Sequence, residues 1–184
     1  MRKLIAAINM TVDGFCDHRF MIADEEIHQH YNELLSNTGI LLYGRTTYQL
    51  MESYWPSIVK KPTGNKPADE FAILIDNISK IVFSRTMLNV DWKNTELKKD
   101  INKEEVLELK QESGKNMLAG SPSLTVALTE LDLIDEYQLT VHPIVSGGGL
   151  PLFKNLTDGM KLKLLKTKSF GSGAITLYYE RTKK

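Results

Sequence analysis

Ile40-Leu41-Leu42-Tyr43-Gly44-Arg45-Thr46-Thr47-Tyr48 is the stretch from which the fold of this chain is read. A short apolar run ends in Gly-Arg-Thr-Thr, and an amphipathic pattern follows at once. The pattern predicts a buried strand, a tight turn and the start of a helix. The first N–H groups of a helix have no intrahelical partner, and the helix dipole puts partial positive charge there. Gly44 lets another group approach the backbone closely. Arg45 adds a forked cation that matches phosphate geometry, and Thr46 and Thr47 add hydroxyls that can cap the helix or meet a phosphate oxygen. By itself the stretch is at least as well explained as an ordinary strand–turn–helix with a solvated arginine.

Two junctions downstream repeat the logic. Ile81-Val82-Phe83 runs into Ser84-Arg85-Thr86, again a hydroxyl and a guanidinium at a strand end. Met117-Leu118-Ala119 runs into Gly120-Ser121-Pro122, where Ser121 can cap and Pro122 suits the first turn of a helix reaching Leu131. Strand C-terminal ends share one edge of an open α/β sheet. Three such ends with two arginines predict a ligand carrying several phosphates. There is no Gly-x-Gly-x-x-Gly after the first strand and no Walker A pattern, and hydrolase and metal motifs are missing as well.

Around these junctions the remaining elements fall into place. Lys3 to Asn9 is nearly all apolar, as expected of a central strand covered on both faces. Its Ala6 and Ala7 leave room either for a flat ring or for tight helix packing. Asp13, in Thr11-Val12-Asp13-Gly14-Phe15, is either an Asx-type turn residue or a carboxylate at the ligand edge. Ala23 to Ser36 reads as a helix with Asp24, Glu25 and Glu26 in its first turn and an apolar stripe of Ile27, Tyr31, Leu34 and Leu35. His28 and His30 face different sides of it and cannot chelate one metal together. Further on, the sequence predicts a short helix from Thr46 to about Ser53, a loop from Trp55 to Pro67, and a helix from Pro67 to Asn77. A short strand within Val90 to Thr95, a helix from Asn102 to Ser113 and a strand from Tyr137 to Val145 follow. An antiparallel hairpin of Leu162 to Ser169 and Ala174 to Arg181 ends the pattern.

Length and composition set the frame. The chain has 184 residues, 42% hydrophobic and 25% charged, which predicts one domain spanning 1–184 with a real core. Lys plus Arg and Asp plus Glu are 23 each, so no global field recruits nucleic acid or an anionic membrane. No stretch approaches the roughly 20 apolar residues that span a bilayer. Cys16 is the only cysteine, which excludes an internal disulfide and fits a reducing cytoplasm.

Taken together, these pieces resemble the dihydrofolate-reductase-like superfamily, and within it stand-alone relatives of the reductase domain of the bifunctional riboflavin-biosynthesis deaminase–reductase. The resemblance runs from Leu4 to about Tyr179. It rests on the order of Thr11-Val12-Asp13-Gly14-Phe15, Tyr43-Gly44-Arg45-Thr46-Thr47-Tyr48, Val82-Phe83-Ser84-Arg85-Thr86, Ala119-Gly120-Ser121-Pro122-Ser123-Leu124 and Pro143 to Phe153. It implies a three-layer α/β sandwich, a mixed and mostly parallel sheet flanked by helices, with NADPH across the strand ends. By position, Ala6 and Ala7 would meet the nicotinamide, and Gly44, Arg45, Thr46 and Thr47 the phosphates. Ser84 and Arg85 would meet the adenosine 2′-phosphate, and Gly120, Ser121 and Leu124 the pyrophosphate side. Dihydrofolate reductases have a cis Gly-Gly bond where this chain has Gly120-Ser121. Asp13 matches the acid of riboflavin-type reductases, and Asp24 is the second choice, near the helix-one carboxylate of folate reductases. The resemblance implies a cytoplasmic homodimer that reduces a small heterocyclic or ribosylaminopyrimidine-like substrate without a metal. Dihydrofolate reductase proper and a non-catalytic nucleotide-binding or interaction protein are the alternatives.

Overall fold

The computed structural model describes residues 1–154, 156 and 159–182. Eight strands form one sheet: β1 (Leu4–Thr11), β2 (Thr38–Gly44), β3 (Ser79–Phe83), β4 (Thr95–Lys98), β5 (Asn116–Ala119), β6 (Glu136–His142), β7 (Leu162–Ser169) and β8 (Ile175–Arg181). Among the described residues a short 3-10 helix (His18–Phe20) and five α-helices accompany them: α1 (Glu25–Ser36), α2 (Arg45–Lys60), α3 (Lys66–Asn77), α4 (Lys103–Gln111) and α5 (Pro122–Glu130). The strand order is β4-β3-β2-β5-β1-β6-β8-β7. The first six in that row run parallel, whereas β8 is antiparallel to both β6 and β7. The mixed, mostly parallel α/β sheet and the C-terminal antiparallel hairpin are therefore as expected.

Period-two alternation on β1 divides its side chains between two layers. Leu4, Ala6 and Ile8 point into a core completed by Val106 of α4 and Leu124 and Leu128 of α5. Ile5 and Ala7 point the other way, toward Leu35 of α1, Tyr48 of α2 and Ile75 of α3. Burial on both faces explains why β1 is a nearly unbroken apolar run. Because the parallel strands share a direction, the C-terminal ends of β1, β2, β3 and β5 open on one edge.

Two expectations need correction. The helix predicted to stop near Ser53 continues to Lys60 with Pro56 inside it, so most of the predicted 55–67 loop is helical. Proline removes one backbone donor and normally breaks a helix interior. Here the far half is held by packing: Trp55 stacks on Phe71 of α3 at 4.5 Å between centroids, and Ile58 is buried. The short strand expected within 90–95 lies instead at Thr95–Lys98. Before it, the Trp92 indole donates to Asp76 Oδ1 at 2.7 Å, and its backbone N–H donates to Tyr48 at 3.1 Å. That residue is anchored to α2 and α3 and is not available to the sheet.

Candidate functional site

Gly44 ends β2 and is the N-cap residue of α2; Ser121 follows β5 and is the N-cap residue of α5. The Gly44 N–H donates to Ser121 Oγ at 2.9 Å. Ser121 therefore ties two neighbouring strand ends together and does not cap its own helix, a correction to the sequence reading. The peptide bond before it is trans, as are all those described. Thr46 and Thr47 lie inside α2 and do not cap it either. Arg45 NH1 donates to Thr86 Oγ1 at 3.1 Å, linking the ends of β2 and β3.

The other three helices start differently. Asp24 Oδ1 accepts from Ile27 N, Asn65 Oδ1 from Ala68 N, and Asn102 Oδ1 from Glu105 N. Each of these helices also has acids in its first turn, while α2 and α5 have neither a side-chain cap nor an acid there. The two helices that start at the strand-end edge thus keep their N–H groups and dipole charge uncompensated, side by side, next to Arg45.

Three adjoining cavities run along this edge. The outer one, about 480 Å³, is lined by Gly44, Ser84, Arg85, Lys99, Ser123 and Leu124 among others. Ser84 Oγ accepts from the Thr86 and Met87 N–H groups at 3.2 and 3.1 Å, so its lone pairs hold the turn. Arg85 pairs with Asp100 at 2.5 Å, and both side chains are largely exposed. An exposed pair of this kind gives way to a stronger anion at a cost of about 1 kcal/mol or less. The middle cavity, about 310 Å³, includes Thr46, Thr47, Pro122 and Ser123 from the two helix starts, with Ala7, Asn9 and Gly120. The inner cavity, about 230 Å³, shares Ala7, Asn9, Thr47 and Gly120 with it and ends among Tyr31, Tyr43, Met51 and Phe71. Ala7 lines both; Ala6 is fully buried in the opposite layer and lines neither. The positional pairing of Ala6 with Ala7 fails because successive residues of a strand face opposite ways.

The two candidate acids are elsewhere engaged. Asp13 accepts from Thr11 Oγ1 at 2.6 Å, from Ser146 N at 3.2 Å and from Gly147 N at 2.8 Å. Gly14 beside it adopts φ +87°, the turn that glycine permits. These hydrogen bonds, the Thr11 hydroxyl first, bring its pKa down to about 2. Asp13 therefore clamps the first loop to the glycine-rich loop as a fixed anion, and it lines none of the three cavities. Asp24 is the N-cap of α1 and is also outside the cavity lining.

The sequence gives little signal for Asn9, His28 and Tyr43, which face the inner cavity, or for His142, which stands behind Asn9. His142 is fully buried; its Nδ1 accepts from Ile22 N at 3.1 Å, so Nε2 carries the hydrogen and donates to Asn9 Oδ1 at 2.9 Å. Burial disfavours a second proton on that ring. Asn9 is held by this bond, with its amide nitrogen turned away from His142 and beside the Tyr31 hydroxyl. His28 Nδ1 lies 3.0 Å from the carbonyl of Asp24, an acceptor only, so Nδ1 donates and Nε2 is left for a ligand. Its ring stands edge-on to Trp55 and Phe71. Tyr43 is 4% exposed, and burial alone pushes its phenol pKa up. The signal in the sequence was Asn9 itself, a polar residue closing an apolar strand. Among the described residues, no three His, Cys, Asp or Glu side chains gather as a metal site, and no helix is long and apolar enough to cross a membrane.

Comparison with known proteins agrees with this architecture. The family described as "RibD C-terminal domain" matches residues 2–176. YyaP of Bacillus subtilis (strain 168) is 31% identical over 184 residues, covering 97% of this chain and 94% of that one. A riboflavin-biosynthesis-type protein from Shewanella sp. PV-4 superposes with a TM-score of 0.75 at 20% identity, covering 98% of this chain and 99% of that one. A dihydrofolate reductase from Enterococcus faecalis, solved with NADP(H), gives a TM-score of 0.65 at 13% identity and covers 98% of this chain and 97% of that one. The last two are likenesses of fold.

Proposed function

The chain belongs to the RibD C-terminal domain family, and on that premise we propose that it is an NADPH-dependent reductase of a small heterocyclic substrate, one domain over residues 1–184. The observation that carries the reading is the pair of uncapped, acid-free helix starts of α2 and α5 beside Arg45, where α1, α3 and α4 each have a side-chain cap. Such a donor set fits a pyrophosphate. Gly44, Arg45, Thr46, Thr47, Gly120 and Ser121 would hold it, with Ser121 acting through its bond to Gly44. Arg85, released from Asp100, and the turn fixed by Ser84 would take the 2′-phosphate, and Leu124 would border the adenosine. When bound, the cofactor supplies a hydride from its nicotinamide ring.

What the chain adds is position, exclusion of water and a proton. Ala7 leaves space for a flat ring over β1, and the aromatic walls of the inner cavity keep water out. Asp13, a fixed anion that titrates near pH 2, is a poor proton donor at neutral pH, and Asp24 is engaged as the cap of α1, so neither is assigned the proton. His28, with Nδ1 donating to the Asp24 carbonyl, is assigned to take a proton from water on Nε2 and pass it to the substrate. Asp13 instead holds loop 146–149 beside the groove. The folate-reductase alternative is weakened because neither candidate carboxylate lines the inner cavity. A homodimer is proposed at the outer strand β7, whose Leu164 and Leu165 are exposed at the sheet edge.

The test is a fluorescence titration with NADPH and with NADH. NADPH is expected to bind more tightly by about tenfold or more, and Arg85→Ala is expected to bring the two nucleotides to parity. Binding of neither nucleotide overturns the cofactor reading and favours the interaction-protein alternative.

A further inference from the structure

Among the described residues, no Asp, Glu, Lys or Arg contributes to the lining of the inner cavity. Its polar groups are the Asn9 amide, the His28 imidazole, Thr47 and two phenols, Tyr31 and Tyr43. A phosphate or carboxylate taken into such a space loses its hydration and meets no lysine or arginine in return. Its volume of about 230 Å³ accommodates one or two fused rings and little more.

The neutral donors are also pre-set. Asn9 cannot turn over freely, because His142 Nε2 donates to its Oδ1, and His142 is itself fixed by the Ile22 N–H. The Asn9 NH₂ therefore faces away from His142, one hydrogen meeting the Tyr31 hydroxyl and the other serving as a donor to the cavity. Tyr31, whose hydroxyl donates to Thr140 Oγ1 at 3.3 Å, stands in the same polar row. Tyr43 is almost wholly buried, lines the cavity and has no protein hydrogen-bond partner for its hydroxyl among the described residues.

We infer that the inner cavity takes an uncharged, planar ring compound bearing hydrogen-bond acceptors, recognised by Asn9 and Tyr43, and not a substrate anchored through a phosphate or a carboxylate. The inference rests on the reductase reading only in calling that ligand a substrate, since the cavity's chemistry is independent of the cofactor. Trp55, which borders His28, is a built-in reporter of occupancy.

The experiment titrates the cofactor-free protein with isatin and with isatin-5-sulfonate, the same ring with and without a permanent negative charge, by quenching of tryptophan fluorescence. Isatin is expected to bind saturably and at least about tenfold more tightly than the sulfonate. Asn9→Asp keeps an acceptor for His142 but replaces the amide donor by a carboxylate oxygen. It is expected to weaken isatin about tenfold with the folded state intact by circular dichroism. Equal or tighter binding of the sulfonate, binding of neither compound, or an Asn9→Asp protein that is folded and binds isatin unchanged overturns the inference. Because no nucleotide is present, failure here is separate from failure of the NADPH titration.

Discussion

Helices α1, α3 and α4 and helices α2 and α5 begin in opposite ways. The first three do not start from β2 or β5, and each has an Asp or Asn side chain on an early N–H group with at least one acid in the first turn. The last two start at the ends of β2 and β5, and among the described residues neither has a side-chain cap or an acid in its first turn. A cap contributes about 1 kcal/mol, and an acid in the first turn adds a few tenths more. The folded protein forgoes that stabilisation at two adjacent places and takes it at the other three. The difference teaches where an anion belongs: stability is withheld where a ligand can supply the missing charge.

This contrast can be broken on purpose. Thr46→Asp puts a carboxylate into the first turn of α2, as α1, α3 and α4 already have. NADPH affinity is expected to fall about 100-fold by like-charge repulsion. Thermal stability is expected to hold or to rise by up to about 0.5 kcal/mol. Unchanged affinity in the nucleotide titration would remove the helix starts from the phosphate site.

A second test moves stability without touching the groove. His30 of α1 is buried against Phe170 and Tyr178 of the C-terminal hairpin. Burial, with Lys168 and Lys166 facing it and Glu33 opposing them, takes its pKa down to about 4. The unfolded chain binds a proton near pH 6.5 that the folded chain refuses until about pH 4. Stability is therefore full above pH 6.5 and is lost as pH falls through that window, by about 2 kcal/mol at pH 5. Urea melts of the wild type and His30→Leu should show the wild type losing this amount relative to the variant between pH 7.5 and 5. Equal slopes in the two proteins would show that His30 is protonated in the fold.

The smallest effect sharpens the contrast from its capped side. Asn102→Ala removes the cap of α4, whose Oδ1 accepts from Glu105 N at 3.1 Å. A loss of about 1 kcal/mol in urea unfolding, with nucleotide affinity unaltered, is expected. If affinity also dropped, capped and uncapped helices would not be separable in function.

Much of the frame was legible from local pattern. The unbroken apolar run of β1, the three strand-end junctions and the alternation of the last hairpin each reflect a chemistry confined to a few consecutive residues. Pro56 misled because its effect on a helix depends on what lies across from it: Trp55 on Phe71 holds α2 together past the proline. Ser121 misled because a serine before a helix can bond forward into its own turn or sideways to Gly44, and only the neighbouring strand makes the second option available. Asp13 has the composition of a catalytic acid and the environment of a clamp.

By itself the sequence determined most of the strands and helices, though not the extent of α2 or the place of β4, and which edge of the sheet gathers hydroxyls, glycines and arginines, since periodicity, turn residues and helix starts are local. Tertiary structure alone decided which side chains face the ligand space. Ala7 lines the groove while Ala6 is sealed in the opposite core, and Asn9, His28 and Tyr43 meet at one cavity from three separate elements, with His142 of a fourth behind Asn9. The reason is physical: the direction of a side chain follows from strand pleat and helix phase, but what it meets there follows from packing between residues distant in the chain.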